Sequence, residues 1–349
     1  MSSDFAPTPA SHLPLPVRFL ARQIFNLLTL FTVTALAAGF PSTHPAVRTI
    51  LVLLGGYFLF NLTSLFHETA HQTVPAFSRS ANVIIGRIIG VVLLVPYTVY
   101  RESHIRHHAY LNRPNDWELW PYSDPAASLT FRRIFVWIDL VFGFLTAPFT
   151  YGRTFFHPNS PIRQPAIRRT IYAEYVVMFV AWGSLLWWIN AAGHWSTFLL
   201  CWGIPHWFAG ILQNGRKLTE HLGMASFDPL QGTRTVYGGT RFSRLCSWLN
   251  YDIFVHGPHH RFPLLTHDKL EGRIRQCVSE DPHRNFPVYK SYTGAFLAMV
   301  PCLFRRPGVG LNAGAARVNE VVAEDVSQFL ADEKQIVVGD WDQDSPPAA

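Results

Sequence analysis

Nine of the sixteen histidines fall into four short segments. His67 and His71 stand in HETAH, His104, His107 and His108 in HIRHH, His256, His259 and His260 in HGPHH, and His221 in LTEHLG. Each segment lies just outside a strongly apolar run. Neutral imidazole is the commonest side-chain metal ligand, and nine of them exceed what one ion can use. A tetrahedral zinc site takes three or four ligands, so eight or nine nitrogens imply two ions of higher coordination number. Among first-row metals held by nitrogen, iron is the one that couples such ligation to dioxygen chemistry. The pattern therefore implies two iron ions, cycling between Fe2+ and Fe3+, with O2 as co-substrate.

The spacing within each segment suits a helical scaffold. On a helix running through HETAH, His67 and His71 are i and i+4 and share a face. In HIRHH the i, i+3, i+4 spacing gathers three rings, while the adjacent His107 and His108 diverge by about 100° and so address different metals. In HGPHH, Pro258 suits a first helical turn, which places His256 before the helix start and His259 and His260 within its first turn. His206 is expected about 22 Å from His221 along one helix, packed beside Pro205 and outside the metal site. Ligating histidines donate their second N–H to a carboxylate or carbonyl. Glu68, Glu102, Asp116, Glu118, Glu220 and Asp252 lie close to the histidine segments and are candidates for that role. An all-imidazole shell is neutral, so these acids would also offset the metals' charge. Each alone is equally a solvated acid, and Arg216 with Glu220 is equally a helix-stabilising i, i+4 pair. No catalytic residue is expected beyond the metal ligands.

The elements that must carry these residues are apolar. Runs at 24–40, 50–66, 171–189 and 196–212 approach the roughly 17 to 25 residues needed to cross a bilayer. Two more, 83–100 and 134–151, carry Arg87 and Asp139, whose burial at mid-bilayer costs roughly 3 kcal/mol each. They are assigned to the interface. With the four-span arrangement every lysine and arginine of the 29 except Arg48 lies on one side, which the positive-inside tendency makes cytoplasmic. All four histidine segments then share that face. The expected fold is an all-α, multi-pass integral membrane protein of about four transmembrane helices, with interfacial helices and a cytoplasmic, histidine-rich di-iron helical cap. Residues 1–20 are expected to form an irregular leader, 21–303 the membrane domain and 304–349 a C-terminal tail, with a helix beginning near Asn319.

Four cysteines without CxxC spacing indicate neither an iron–sulfur centre nor a disulfide framework. The net charge of +6 follows from the one-sided basic bias, so no nucleic-acid partner is inferred. The proline-bearing start lacks the basic region and cleavage site of a signal peptide.

The combination of H-x3-H, two copies of H-x-x-H-H and intervening apolar runs resembles the membrane fatty acid desaturase and hydroxylase superfamily, whose pattern is H-x(3,4)-H, H-x(2,3)-H-H and (H/Q)-x(2,3)-H-H. HHAYLNRPNDWE and NYDIFVHGPHHRFPLL resemble the surroundings of its second and third boxes, and the resemblance covers about residues 20 to 300. It implies iron ligation by His67, His71, His104, His107, His108, His256, His259 and His260. His221 matches the additional histidine after the family's fourth span. In structurally known stearoyl-CoA desaturases an asparagine one turn earlier reaches iron through water. Lys217 stands at that position here, with Gln213 and Asn214 the nearby amides. The resemblance further implies desaturation of a fatty acyl chain with electrons from a separate ferredoxin or cytochrome b5. HPNS at His157 is not the haem motif of a fused cytochrome b5 domain.

Other readings account for less. Hydroxylase, ketolase or acetylenase action on an acyl, carotenoid or sterol-like chain belongs to the same superfamily. HETAH also spells the H-E-x-x-H of zinc metalloproteases, with Glu68 as base, but leaves seven histidines unused. A metal transporter would need polar ligands along its spans. Arg101, Arg106 and Arg113 suit either a substrate phosphate or lipid headgroups, and Trp117, Trp120 and Tyr122 either roof a substrate or anchor in the interface.

Overall fold

A computed structural model describes residues 14–39 and 44–315. The described residues are predominantly helical. α1 (Leu15–Gly39) and α2 (Pro45–His71) form an antiparallel hairpin, and α7 (Pro165–Ala192) is the third long apolar helix. These three are long and apolar enough to cross a membrane. They contain the first apolar run as far as Gly39 and the whole of the runs 50–66 and 171–189. The fourth run is built differently. α8 (Trp195–Phe198), a π-helical turn over Leu199–Gly203 and α9 (Ile204–His221) follow without a gap, and neither helix is by itself among the three.

The two runs assigned to the interface are each broken. α3 (Arg79–Leu93) and α4 (Tyr97–Ala109) meet at 102°, and α5 (Leu129–Val141) and α6 (Gly143–Phe156) at 120°. If each bent pair is one span, the number rises to five. The first break follows from chemistry at 94–96: Leu94 adopts a left-handed φ of 60° that ends α3, and Pro96 opens the next helix. The charges that spoke against straight spans are neutralised. Arg87 Nε lies 2.7 Å from Glu174 Oε1 on α7. Asp139, 1% exposed, accepts from Tyr122 Oη (3.0 Å), Thr146 Oγ1 (2.6 Å) and Asn214 Nδ2 (2.6 Å), and pairs with Lys217 Nζ at 2.9 Å. Tyr122 is therefore a core residue and no interfacial anchor.

The remaining chain covers one end of the helices. α10 (Pro229–Gly232), α11 (Arg241–Leu249), α12 (His256–Arg261), α13 (His267–Glu280) and α14 (Tyr292–Arg305) surround a two-stranded parallel ribbon, β1 (Thr235–Val236) with β2 (Val288–Tyr289). Both expected outer boundaries move. Residues 15–20 are helical because Pro16 sits in the first turn, where its missing N–H costs nothing. Beyond 303 the chain is still core. Leu303 and Val309 pack with Leu119, Tyr122, Val136 and Met299, and Val309 N donates to Tyr122 O at 3.1 Å. The helix expected after Asn319 lies outside the described residues.

Candidate metal centre

The end of α2 delivers His67 and His71, α4 delivers His104, His107 and His108, α9 delivers His221, and α12 delivers His256, His259 and His260. α12 begins at His256 itself, so His256 is the first residue of the helix and does not precede it as expected. All nine rings are buried, none more than 4% exposed. They converge in two groups. One ring nitrogen each from His67, His71, His104, His108 and His259 lies within 4.8 Å of the others, and His107, His221 and His260 meet the same limit, as do Glu220, His221 and His256. The neighbours His107 and His108 fall in different groups, as their divergence around α4 requires.

Tautomers make the convergence unusual. His104 Nδ1 lies 3.0 Å from Glu118 Oε2, His107 Nδ1 2.9 Å from Asp116 Oδ2 and His67 Nδ1 3.2 Å from Glu68 Oε1. Each neutral ring that donates from Nδ1 presents a bare lone pair at Nε2. Those faces meet others: Nε2 atoms are 3.2 Å apart in His104 and His108, 3.1 Å in His108 and His259, 3.0 Å in His256 and His260, and 2.8 Å in His221 and His256. His67 Nε2 and both nitrogens of His71 have no hydrogen-bond partner. Two nitrogens each roughly 2.1 Å from one ion stand about 3.0 Å apart at a right angle and about 3.4 Å apart at the tetrahedral angle. The observed contacts match neighbouring positions of a six-coordinate ion. Burial, and then the neighbouring rings, hold His259 and His260 well below the ordinary 6.5, in the neutral form that ligates.

The six candidate acids divide. Glu68, Asp116 and Glu118 hold histidine N–H groups, and Glu68 Oε2 is itself fixed by Thr73 Oγ1 at 2.9 Å. Burial raises Asp116 in spite of His107. Burial would raise Glu118 too, but the bonded His104 outweighs it and brings the carboxyl to about 2. Glu220 Oε2 is 3.5 Å from His256 Nε2, at the ligand face itself. Glu102 accepts from Arg106 at 2.7 Å, and Asp252 from Ser247 Oγ at 3.0 Å; these two bonds lead away from imidazole. Sequence reasoning missed Thr73 and also Tyr151, whose hydroxyl meets Glu118 Oε1 at 3.2 Å. Thr73 lies just past the HETAH helix; nothing local marks Tyr151, 33 residues from its partner.

One cavity reaches the histidines. Its walls include Phe66, Leu93, Val95 and Ala147, and it ends on His67, His104 and His107. His206 borders it, stacked on Trp202 at 4.3 Å and outside both ligand groups. Lys217 is engaged by Asp139, Gln213 Oε1 accepts from Thr63 (2.8 Å), and Asn214 Nδ2 donates to Asp139. Arg216 also lines the cavity, 6% exposed, its Nε 4.0 Å from Glu220 Oε2 in the expected i, i+4 pair while Nε and Nη1 make no hydrogen bond among the described residues.

Residues 43–287 match the fatty acid desaturase family. The chain belongs to that family. Its relatives include the chloroplastic omega-3 fatty acid desaturase of Ricinus communis, 25% identical over 73% of this chain, and the chloroplastic omega-6 fatty acid desaturase of Brassica napus, 22% identical over 72%. The sn-2 acyl-lipid omega-3 desaturase (ferredoxin) of Helianthus annuus is 27% identical over 62%. This desaturase-family chain spans 58%, 59% and 52% of those three lengths. The matched stretch holds every histidine of both groups.

Proposed function

We propose that this chain is an O2-dependent desaturase of a lipid-borne fatty acyl chain, with two irons bound by the nine histidines. The observation that carries it is the convergence of buried imidazole nitrogens, facing one another in two adjacent groups at spacings suited to six-coordinate ions. His67, His71, His104, His108 and His259 would hold one ion, and His107, His221, His256 and His260 the other, with Glu220 at the second. Bound iron would supply the electrons and oxidising power that split dioxygen and remove hydrogen from an unactivated C–H bond.

The chain's own residues do the positioning. Glu118, Asp116 and Glu68 keep a proton on Nδ1 of their histidines, which fixes each ring's tautomer and direction. The apolar cavity walls exclude water and place two adjacent methylenes beside the site, and that placement separates desaturation from oxygen insertion. In the overall balance R–CH2–CH2–R′ loses two hydrogens while O2, two electrons and two protons become two waters. The electrons come from a separate carrier of the ferredoxin or cytochrome b5 class, a reading favoured by the ferredoxin named for the Helianthus relative. The basic bias of the histidine-bearing side supports a multi-pass protein with its site on the cytoplasmic face.

Purified protein supplied with ferredoxin, its reductase, NADPH and phospholipid vesicles is expected to give acyl products lighter by two hydrogens. Products heavier by one oxygen would favour the hydroxylase reading, products with one oxygen more and two hydrogens fewer the ketolase reading, and no oxygen-dependent product would contradict all three.

A further inference from the structure

Between the start of α1 and the short α11 lies a cavity of ≈ 550 Å³ that the acyl chemistry does not use. Arg22 lines it, only 5% exposed. Its guanidinium carbon stands 4.9 Å from the Trp248 ring and 5.1 Å from the Tyr251 ring. Those faces hold the planar fork in place, yet Nε and Nη1 have no hydrogen-bond partner among the described residues. His267, 1% exposed on the same cavity, has neither ring nitrogen bonded. A buried unsatisfied donor costs about 1–3 kcal/mol, and more when charged. This pair therefore asks for an acceptor with negative charge.

The surrounding charge limits which one. Arg18, its Nε also unpaired, and the exposed Arg244 line the cavity. Of the acids there, Asp252 acts electrostatically on Arg22 but is bonded to Ser247, and Glu271 is paired with Arg275 at 2.6 Å. Asp268 is the third. With Arg275 counted, the cavity carries a single excess positive charge, which suits a monoanion better than a dianion.

Depth supplies the source. α11 turns Phe242 (73% exposed), Leu245 (51%) and Trp248 (41%) outward beside Arg241 and Arg244, the pattern of a helix lying in the membrane interface. α1 begins its apolar run immediately after Arg18 and Arg22. The cavity thus sits at the level of lipid headgroups. We propose that it binds the phosphodiester of a membrane phospholipid headgroup, with Arg22 as the anchoring fork and Arg18, Arg244 and His267 completing the set. The site stands independently of the acyl-desaturation reading, and its test reads binding alone.

The full chain, stripped of lipid in maltoside detergent, would be titrated calorimetrically with dihexanoylphosphatidylcholine, dihexanoylglycerol and inorganic phosphate. One phosphatidylcholine per chain is expected, with dihexanoylglycerol and inorganic phosphate each at least tenfold weaker. Arg22→Gln should weaken it tenfold or more. Arg244→Gln, at an exposed position that leaves folding intact, should weaken it about threefold. Equal binding of dihexanoylglycerol would reduce the cavity to an apolar contact, equal binding of inorganic phosphate would make it a free-phosphate site, and indifference to Arg244→Gln would remove the electrostatic basis; each overturns the proposal.

Discussion

At the scale of residues, the supporting acids carry as much of the account as the rings they hold. Glu118 fixes His104 from one side and is fixed by Tyr151 from the other. Glu118→Ala should lower iron affinity by 10- to 100-fold, as outer-shell losses commonly do, while Glu118→Gln, which still accepts from Nδ1, should lose much less. Chelator competition on the reconstituted protein measures both, and equal losses would contradict the tautomer role. Lys217 is the counter-charge of a buried carboxylate. Lys217→Met should cost about 3 kcal/mol by leaving Asp139 unpaired, and adding Asp139→Asn should recover most of it. Thermal unfolding of both single variants and the double variant closes that cycle; additive losses would place the two residues in separate networks. The ligand candidates were legible because metal binding demands one residue type at short helical spacing. The Lys217–Asp139 pair was not, since nothing in sequence ties positions 78 residues apart, and Lys217 occupied a position where the family pattern suggested an amide.

At the scale of elements, apolar periodicity located helices but not their breaks. The runs 83–100 and 134–151 look continuous to a hydropathy average, although Pro96 and Gly143 were visible within them as breakers. Gly143 has a packing reason. A Cβ there would lie 2.4 Å from Gly210 O, so α6 starts in direct contact with the α9 backbone. Gly143→Ala should lower the unfolding temperature by several degrees, an overpacking cost of about 1–3 kcal/mol, and an unchanged midpoint would contradict this crossing. α13 docks through His267 against Phe19 and Tyr251, at ring distances of 5.9 and 5.7 Å. Burial, with Arg22 and Arg18 adding to it, lowers His267 to about 3. The folded pKa lies below the unfolded value of about 6.5, so this contribution is complete above pH 6.5 and declines as pH falls toward 3, by on the order of 1 kcal/mol per unit. In lipid-stripped protein the slope should shrink by one proton in His267→Phe, read from denaturant unfolding at several pH values; an identical slope would exclude His267 as its source.

At the scale of the whole molecule, one-sided charge and the positions of the histidine segments placed all the chemistry at one end of the helices. The structure brings all four histidine segments together there, under the cap formed after α9. What sequence could not supply was the edge of that cap: Val309 and Leu303 join the core through Tyr122 and Leu119, a contact between distant segments that no local pattern announces. The central claim is that this assembly holds two irons. Metal content of the detergent-purified chain, by plasma mass spectrometry with Mössbauer spectra of iron-57 protein, tests it most directly. The account predicts two irons per chain, reduced by His107→Ala and by His259→Ala. One zinc without iron, unaffected by those two changes and lost in His67→Ala, would contradict it and favour a metalloprotease.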